Sequence, residues 1–127
     1  LTRGFLHSHS YTGNALACRA ALAVLDIFRD DDVIVANRAR AARFSVRAAP
    51  LAAHPKVRDF RQRGMIWAFE VESARADFSR WCFAEALARA VLLRPIGRTV
   101  YFMPPYVTSD ADWDLLVDAT LAILDDA

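Results

Sequence analysis

The feature that most constrains the fold of this chain is a stretch at residues 93–106, LRPIGRTVYFMPPY, interrupted by three prolines and one glycine. The residue before a proline is pushed out of helical backbone angles, so Arg94 is expected to be extended and to lie at a bend. Residues 99–103 are mainly β-branched or aromatic and predict a short strand. Pro104 and Pro105 end this strand because neither has an N–H for the next hydrogen bond of a ladder.

Arg94 and Tyr101 are the candidate binding residues of this stretch. A planar guanidinium at a preset position suits two-point binding of a carboxylate or phosphate. Tyr101, fixed by the strand, can orient the same ligand. A surface arginine packed over the Tyr101 ring explains the same spacing, so the pattern leaves a structural role and a binding role open.

Composition and charge indicate one soluble globular domain and argue against two classes of partner. The 127 residues are 55% hydrophobic and 24% charged, with a formal net charge of +1, which is enough for a single domain with a core. A charge so close to zero disfavours nucleic acid, and no apolar run approaches the roughly 20 residues of a membrane span. Cys18 and Cys82 lie in apolar helical stretches, which favours free buried thiols and a cytoplasmic location.

Polar residues before the first predicted helix form a second candidate site. Residues 7–12 read HSHSYT and are followed by Gly13 and Asn14. The free N–H groups and dipole of a helix start favour an anion, to which Ser10 can donate its hydroxyl. Ordinary N-capping by Asn14 or its neighbours explains the same residues. No metal site is predicted, because His7 and His9 have no further ligands nearby.

Helical spacing of apolar residues predicts two helices before residue 52. The first covers about residues 15–29, and its apolar face is expected to pack on the core. The second begins at about Val33 and is expected to kink or end before Pro50. Its apolar stripe comprises Ile34, Asn37, Ala41, Phe44, Ala48 and Leu51. A row of arginines on another face is interpreted as a solvated surface and comprises Arg40, Arg43 and Arg47.

Two-residue alternation predicts a strand at residues 65–71, since Met65, Trp67, Phe69 and Val71 share one face. Residues 57–62 are predicted to be its antiparallel neighbour, with a turn or bulge at residues 63–64. Lys56, the only lysine in the chain, is expected in a charged setting that does not desolvate it. Such a setting does not suit a lysine that forms a covalent bond to a carbonyl.

The rest of the chain completes an α+β pattern. A helix at about residues 77–89 is expected to be capped by Asp77 and to face the sheet with Trp81, Ala84, Leu87 and Ala88. Residues 91–93 are predicted to form a buried strand. A capping box at residues 109–112 precedes a last helix with a broad apolar stripe. We therefore expect a small antiparallel sheet with helices packed mainly on one face, preceded by a long helix.

Three stretches together resemble the class III pyridoxal-phosphate-dependent aminotransferases. They are HSHSYTGNALAC at residues 7–18, HPKVRDFR at residues 54–61 with GMI at residues 64–66, and LRPIGRTVYFMPPY at residues 93–106. The resemblance runs nearly end to end and implies a fold type I homodimer. Residues 1–30 then correspond to an interface loop and connecting helix of the large domain, and residues 31–127 to the small C-terminal domain.

The resemblance also assigns roles to single residues. Ser10, with His9 beside it, matches the position that binds the phosphate of pyridoxal 5'-phosphate in the neighbouring subunit, and Ser8 falls where the family's loop touches substrate. Arg94 matches an arginine that holds a substrate carboxylate, and Tyr101 matches a tyrosine lining that pocket. One departure concerns Ala90, where family members commonly have glycine, the residue that a left-handed helix cap prefers.

The form of residues 93–106 resembles the family members that serve biotin synthesis. It implies transfer of the amino group of S-adenosylmethionine to 8-amino-7-oxononanoate, giving 7,8-diaminononanoate, with lysine left open as the amino donor. The catalytic lysine of the family lies upstream of this segment, so the 127 residues alone are expected to be inactive and to be a piece of a longer protein. The alternative is a free-standing α+β regulatory or interaction domain in which Arg94 and the Ser10 loop have structural roles only.

Overall fold

A computed structural model describes residues 9–127 of the chain. The described elements are α1 (Ala15–Asp30), α2 (Val33–Arg47), α3 (Ala49–Ala53), β1 (Val57–Arg63), β2 (Ile66–Val71), α4 (Phe78–Ala88), β3 (Thr99–Phe102) and α5 (Asp110–Asp126). The chain divides into two compact units, Leu1–Ala36 and Asn37–Ala127. No helix within residues 9–127 combines the length and apolar content that crossing a membrane requires.

The first unit contains α1, which begins where the sequence predicts. Asn14 is the N-cap, and its side chain accepts a 2.9 Å hydrogen bond from the Ala17 N–H. The expectation that the apolar face of α1 packs on the core is wrong, since no residue of α1 is buried. Leu16 is 83% exposed and Leu25 is 62% exposed. Helical spacing identifies an apolar face, but it does not identify a surface that covers it.

The second unit is built on an antiparallel sheet of order β1-β2-β3. The central strand alternates as predicted, because Trp67, Phe69 and Val71 are buried while the residues between them are more exposed. The predicted pairing of residues 57–62 with this strand is confirmed. The register shifts between Arg58 and Arg61, where Asp59 has a φ of 49°, which is typical of a β-bulge.

Helices cover the buried face of this sheet, and aromatic rings join the two layers. The rings of Phe44 on α2 and Trp113 on α5 are stacked with centroids 4.5 Å apart. Trp67 on β2 lies 4.6 Å from Trp113, whose indole N–H donates to the Phe44 carbonyl. The helix break predicted from Pro50 is confirmed between α2 and α3. The α+β class, with helices mainly on one face of an antiparallel sheet, is therefore confirmed.

The buried face of α4 differs from the predicted one. Its buried residues are Phe78, Cys82 and Ala86, whereas Leu87, expected in the core, is 51% exposed. The helix is apolar on several sides, so helical spacing alone fits more than one face. Burial raises the pKa of the Cys82 thiol to about 11. Asp77 occupies the N-cap position as predicted, but its side chain makes no capping hydrogen bond.

The buried strand predicted at residues 91–93 is absent. Val91 and Leu93 are buried and Leu92 is 65% exposed, which is the alternation of a strand. The described backbone there nevertheless pairs with no neighbouring strand, and β3 begins only at Thr99. Side-chain alternation shows where residues point, but a strand also needs a partner for its N–H and C=O groups.

The arginine row of α2 is more than a solvated surface. Arg43 lies 3.5 Å from an Asp110 carboxylate oxygen, and Arg47 lies 2.8 Å from Asp114. Arg40 donates a hydrogen bond to the side-chain oxygen of Asn37. The sequence gives no sign of the two ion pairs with Asp110 and Asp114, because they depend on α5 beginning beside α2.

Candidate functional site

The segment that carries Arg94 leaves α4 through a left-handed turn. Ala90 has a φ of 60°, the backbone conformation that the expected helix cap requires. The Ala90 N–H donates to the Leu87 carbonyl at 3.1 Å, and the Val91 N–H donates to the Ala86 carbonyl at 3.0 Å. Both hydrogen bonds of a Schellman motif are therefore present. This turn ends α4 four residues before Arg94.

Arg94 itself lies outside any helix or strand and is exposed, while its neighbour Pro95 is buried. Ile96 and Thr99 exchange two backbone hydrogen bonds of 3.0 Å, which close a tight turn before β3. Gly97 in this turn has a φ of 61°, a value that favours glycine. Arg94 thus directly precedes a buried proline and a closed turn, and its exposed side chain is free to reach a ligand.

Arg94 and Tyr101 line the same cavity, of about 370 Å³. The other lining residues are mostly apolar: Leu92, Leu93, Phe102, Met103, Pro104, Pro105, Thr108 and Leu116. Tyr101 is half-buried on β3. Pockets of this size that combine an apolar wall with a few polar groups are typical of small-molecule sites. One guanidinium in such a wall suits a ligand with an aliphatic body and an acidic end.

Arg94 also lines a second cavity, of about 580 Å³, that is rich in positive charge. Arg75, Arg80 and Arg98 line it too, with Asp77 as the one carboxylate among the described lining residues. Within residues 9–127, none of these four arginines forms an ion pair. Unpaired guanidiniums around one concavity produce a positive potential that attracts anions. The surroundings of Arg94 therefore favour a negatively charged group.

Two contacts hold members of this arginine cluster in place. The Arg75 guanidinium lies 4.3 Å from the centroid of the Trp81 ring, a cation–π distance. Arg98 donates a hydrogen bond to the Ser73 carbonyl. These contacts orient the two side chains without neutralising their charge. The cluster consequently retains its full charge toward the cavity.

The sequence reasoning identified Arg94 but missed Arg75, Arg80 and Arg98. Arg80 is the third residue of α4, in a first turn without acidic residues. Helix N-termini favour acidic side chains, so an arginine in that turn is a signal that the sequence alone offers. The other two lie in loops, and only the folded chain brings them to the same cavity.

Ser10 and His9 belong to the other compact unit. Residues 10–13 form a turn immediately before α1, in which the Thr12 N–H donates to the His9 carbonyl at 3.0 Å. Ser10 is exposed there, and the first turn of α1 contains no acidic residue. A hydroxyl beside such a helix start suits a phosphate. Ser8, the other residue expected in this loop, lies outside the described residues.

Lys56 has a different setting from the expected one. Its ammonium donates to the carbonyls of Leu124, Asp125 and Ala127 at 2.9, 3.0 and 2.7 Å. Backbone carbonyls at the end of α5, rather than charged side chains, therefore surround it. A cation at a helix C-terminus stabilises the helix. The structure thus gives Lys56 a structural role at the end of α5.

Comparisons with known proteins bear on this arrangement. A family model described as aminotransferase class-III matches residues 2–124. The chain is 40% identical over 129 residues to the adenosylmethionine-8-amino-7-oxononanoate aminotransferase of Helicobacter pylori, an alignment that covers 98% of this chain. The protein of the same name from Nitratidesulfovibrio vulgaris is 36% identical over 124 residues, covering 91% of this chain.

Solved structures give the same picture. The crystal structure of adenosylmethionine-8-amino-7-oxononanoate aminotransferase from Methanocaldococcus jannaschii matches with a TM-score of 0.83 and 29% identity over 96% of this chain. An (S)-enantioselective omega-transaminase from Thermomicrobium roseum matches with a TM-score of 0.83 and 26% identity over 99% of this chain. The chain spans 30% of the Helicobacter protein, 23% of the Nitratidesulfovibrio protein and 30% of each solved chain.

Proposed function

The chain belongs to the class III aminotransferases, and from this premise we propose that it is the C-terminal portion of a biotin-pathway aminotransferase. The proposed reaction transfers the amino group of S-adenosylmethionine to 8-amino-7-oxononanoate and yields 7,8-diaminononanoate. The names of the relatives from Helicobacter pylori and Nitratidesulfovibrio vulgaris support this assignment. A family match over residues 2–124 favours an enzyme segment over a free-standing regulatory domain.

The observation that carries the proposal is the cavity shared by Arg94 and Tyr101. The oxo-acid substrate has a long aliphatic chain that ends in a carboxylate, and this cavity has an apolar wall with one guanidinium. Arg94 binds the carboxylate through two N–H groups, and the neighbouring arginines add long-range attraction. Tyr101 lines the cavity beside the aliphatic chain. Together they orient the substrate, so that its carboxylate lies at Arg94 and its reacting carbon lies further along the aliphatic chain.

The proposed cofactor is pyridoxal 5'-phosphate, which supplies the electron sink for amino transfer when bound. Ser10 fits its phosphate, because an exposed hydroxyl stands in the turn before α1 and no carboxylate lies in the first turn of that helix. Ser10, with His9 beside it, holds the phosphate by hydrogen bonds. Ser8 is assigned to substrate contact in the same loop.

The proposed assembly is a homodimer in the cytoplasm, in which the Ser10 loop serves the cofactor of the partner subunit. Residues 1–30 are assigned to the large domain as interface loop and connecting helix, and residues 31–127 to the small domain. The exposed apolar side chains of α1 support an interface role for that helix. Lys56 caps α5, so the lysine that moves the substrate proton is assigned to a part of the protein outside this chain.

Steady-state kinetics of the full-length protein test this proposal. Arg94→Ala is expected to raise the KM for 8-amino-7-oxononanoate at least tenfold, about the effect of losing one charge-assisted hydrogen-bonding group. The KM for S-adenosylmethionine is expected to stay within about twofold, because the carboxylate of this amino donor lies beside its reacting amino group, whereas that of the oxo-acid lies at the far end of an aliphatic chain. Arg63→Ala is the matched control, since Arg63 is exposed and lines neither of the two cavities. Equal increases for both substrates contradict a carboxylate-binding role.

A further inference from the structure

We propose that Ser79 is a positioning residue for Arg94, an inference that rests on the binding role proposed above for Arg94. The Ser79 hydroxyl donates a 2.7 Å hydrogen bond to the carbonyl of Pro95, in a partly buried setting. Ser79 is the second residue of α4, and Pro95 directly follows Arg94. The bond therefore ties the beginning of a helix to the residue that directly follows the arginine.

Covalent geometry restricts the backbone on the C-terminal side of Arg94, except at one dihedral angle. The ring of Pro95 confines the ψ angle of Arg94 to extended values and locks the φ angle of Pro95 itself. The ψ angle of Pro95 is left, and it sets the direction of the Pro95 carbonyl. The hydrogen bond from Ser79 holds that carbonyl and so restricts rotation about the ψ angle of Pro95. The backbone that directly follows Arg94 is then held in one orientation.

Among the described residues, the hydrogen bond from Ser79 is the one that ties the peptide group between Pro95 and Ile96 to α4, while the Ile96 N–H of the same group is bonded within the tight turn. The Val91 N–H is bonded within the Schellman motif, and Ile96 is bonded to Thr99. Between these two points, within the described chain, the bond from Ser79 to Pro95 is the one hydrogen bond that the segment makes. Burial of Leu93 holds the segment against the core, but apolar contact does not orient a peptide plane.

The Ser79 hydroxyl is turned toward Pro95 rather than used to cap α4. The N-cap of α4 is Asp77, and no side-chain capping bond is made there. Ser79 and Pro95 both line the arginine-rich cavity together with Arg94. Loss of the hydroxyl therefore makes the segment that includes Arg94 and Pro95 less rigid. A looser guanidinium loses part of its preorganisation for a carboxylate.

The test uses the full-length enzyme and the variants Ser79→Ala and Ser79→Thr. Ser79→Ala is expected to raise the KM for the oxo-acid roughly fivefold, the size of effect of one hydrogen bond, with kcat and the KM for S-adenosylmethionine unchanged. Ser79→Thr retains the hydroxyl and is expected to restore the KM. Ser45→Ala is the matched control, because the Ser45 hydroxyl likewise joins a helix to another part of the chain, donating to Gln62 and accepting from Trp67. It is expected to lower the melting temperature without changing either KM.

A double variant separates positioning from a general loss of stability. If Ser79 acts through Arg94, Ser79→Ala has no further effect on the oxo-acid KM in the Arg94→Ala background. The same fivefold increase in that background overturns the inference, as does a Ser79→Ala enzyme with the KM of the wild type. If Arg94→Ala itself leaves the oxo-acid KM unchanged, the proposed function fails, whatever the result for Ser79.

Discussion

At the scale of single residues, Ala90 is the clearest case of strain close to the site. Its φ of 60° places an L-residue in the left-handed region, which costs about 1–2 kcal/mol relative to a right-handed conformation. Glycine pays no such steric cost. Ala90→Gly is therefore expected to raise the free energy of unfolding by about 1 kcal/mol. Thermal unfolding followed by the fluorescence of Trp67 and Trp113, which lie in the same unit, measures this change.

The same substitution two residues earlier is the control for this experiment. Ala88 is the last residue of α4 and is exposed, so Ala88→Gly is expected to lower stability by up to about 1 kcal/mol. Opposite signs at the two positions identify the left-handed backbone as the cause. Destabilisation by glycine at both positions contradicts it.

Single residues also show what the sequence can and cannot predict about the site. Pro95 restricts Arg94 through covalent geometry alone, so the position of the arginine outside any helix follows from two adjacent residues. The contact of Ser79 with Pro95 joins residues 16 positions apart, and it depends on how α4 packs. No local rule indicates such a contact.

At the scale of elements, the N-terminus of α5 is stabilised by side chains that the sequence places there. Ser109 and Asp112 form the predicted capping box, with both reciprocal hydrogen bonds present. Ser109→Ala removes the cap and is expected to destabilise the protein by about 1 kcal/mol at neutral pH. Chemical unfolding of the variant and the wild type measures the difference.

The effect of this cap depends on pH with a definite sign. The hydrogen bonds from the Ser109 side chain and backbone lower the pKa of the Asp112 carboxyl. The stabilisation from Asp112 is therefore fully present above its ordinary pKa of about 4, and it is lost as the pH falls through the lowered pKa of the folded state. The stability gap between wild type and Ser109→Ala is expected to narrow at acid pH. A gap that stays constant contradicts the capping role of the carboxylate.

Helices and strands were predictable where a local sequence rule determines them, and they were not predictable where tertiary packing determines which residues are buried or paired. The alternation of Trp67, Phe69 and Val71 belongs to a strand with one buried face, and the structure confirms it. In α4 the apolar residues fit several faces, and only packing against α5 and the rest of the core selects Phe78, Cys82 and Ala86. Residues 91–93 alternate like a strand, yet their backbone finds no partner.

At the scale of the whole molecule, the two compact units contribute different chemistry to the proposed site. The second unit supplies the cluster of arginines, although the whole chain has a net charge of only +1. The first unit supplies the Ser10 turn and an apolar helix without buried residues. The proposed homodimer requires both, with Ser10 acting in the site of the partner subunit and Arg94 in its own.

Mixed dimers of the full-length protein test this division of labour. Ser10→Asp opposes the cofactor phosphate by charge repulsion, and Arg94→Ala removes the carboxylate-binding group, so each homodimer is impaired at both sites. Coexpression with two affinity tags yields dimers with one copy of each variant, whose amino transfer is assayed at low oxo-acid concentration. One site then carries both defects and the other neither, so the activity is expected to recover to about half that of the wild type. Mixed dimers no more active than the average of the two homodimers would show that Ser10 and Arg94 do not act across the interface.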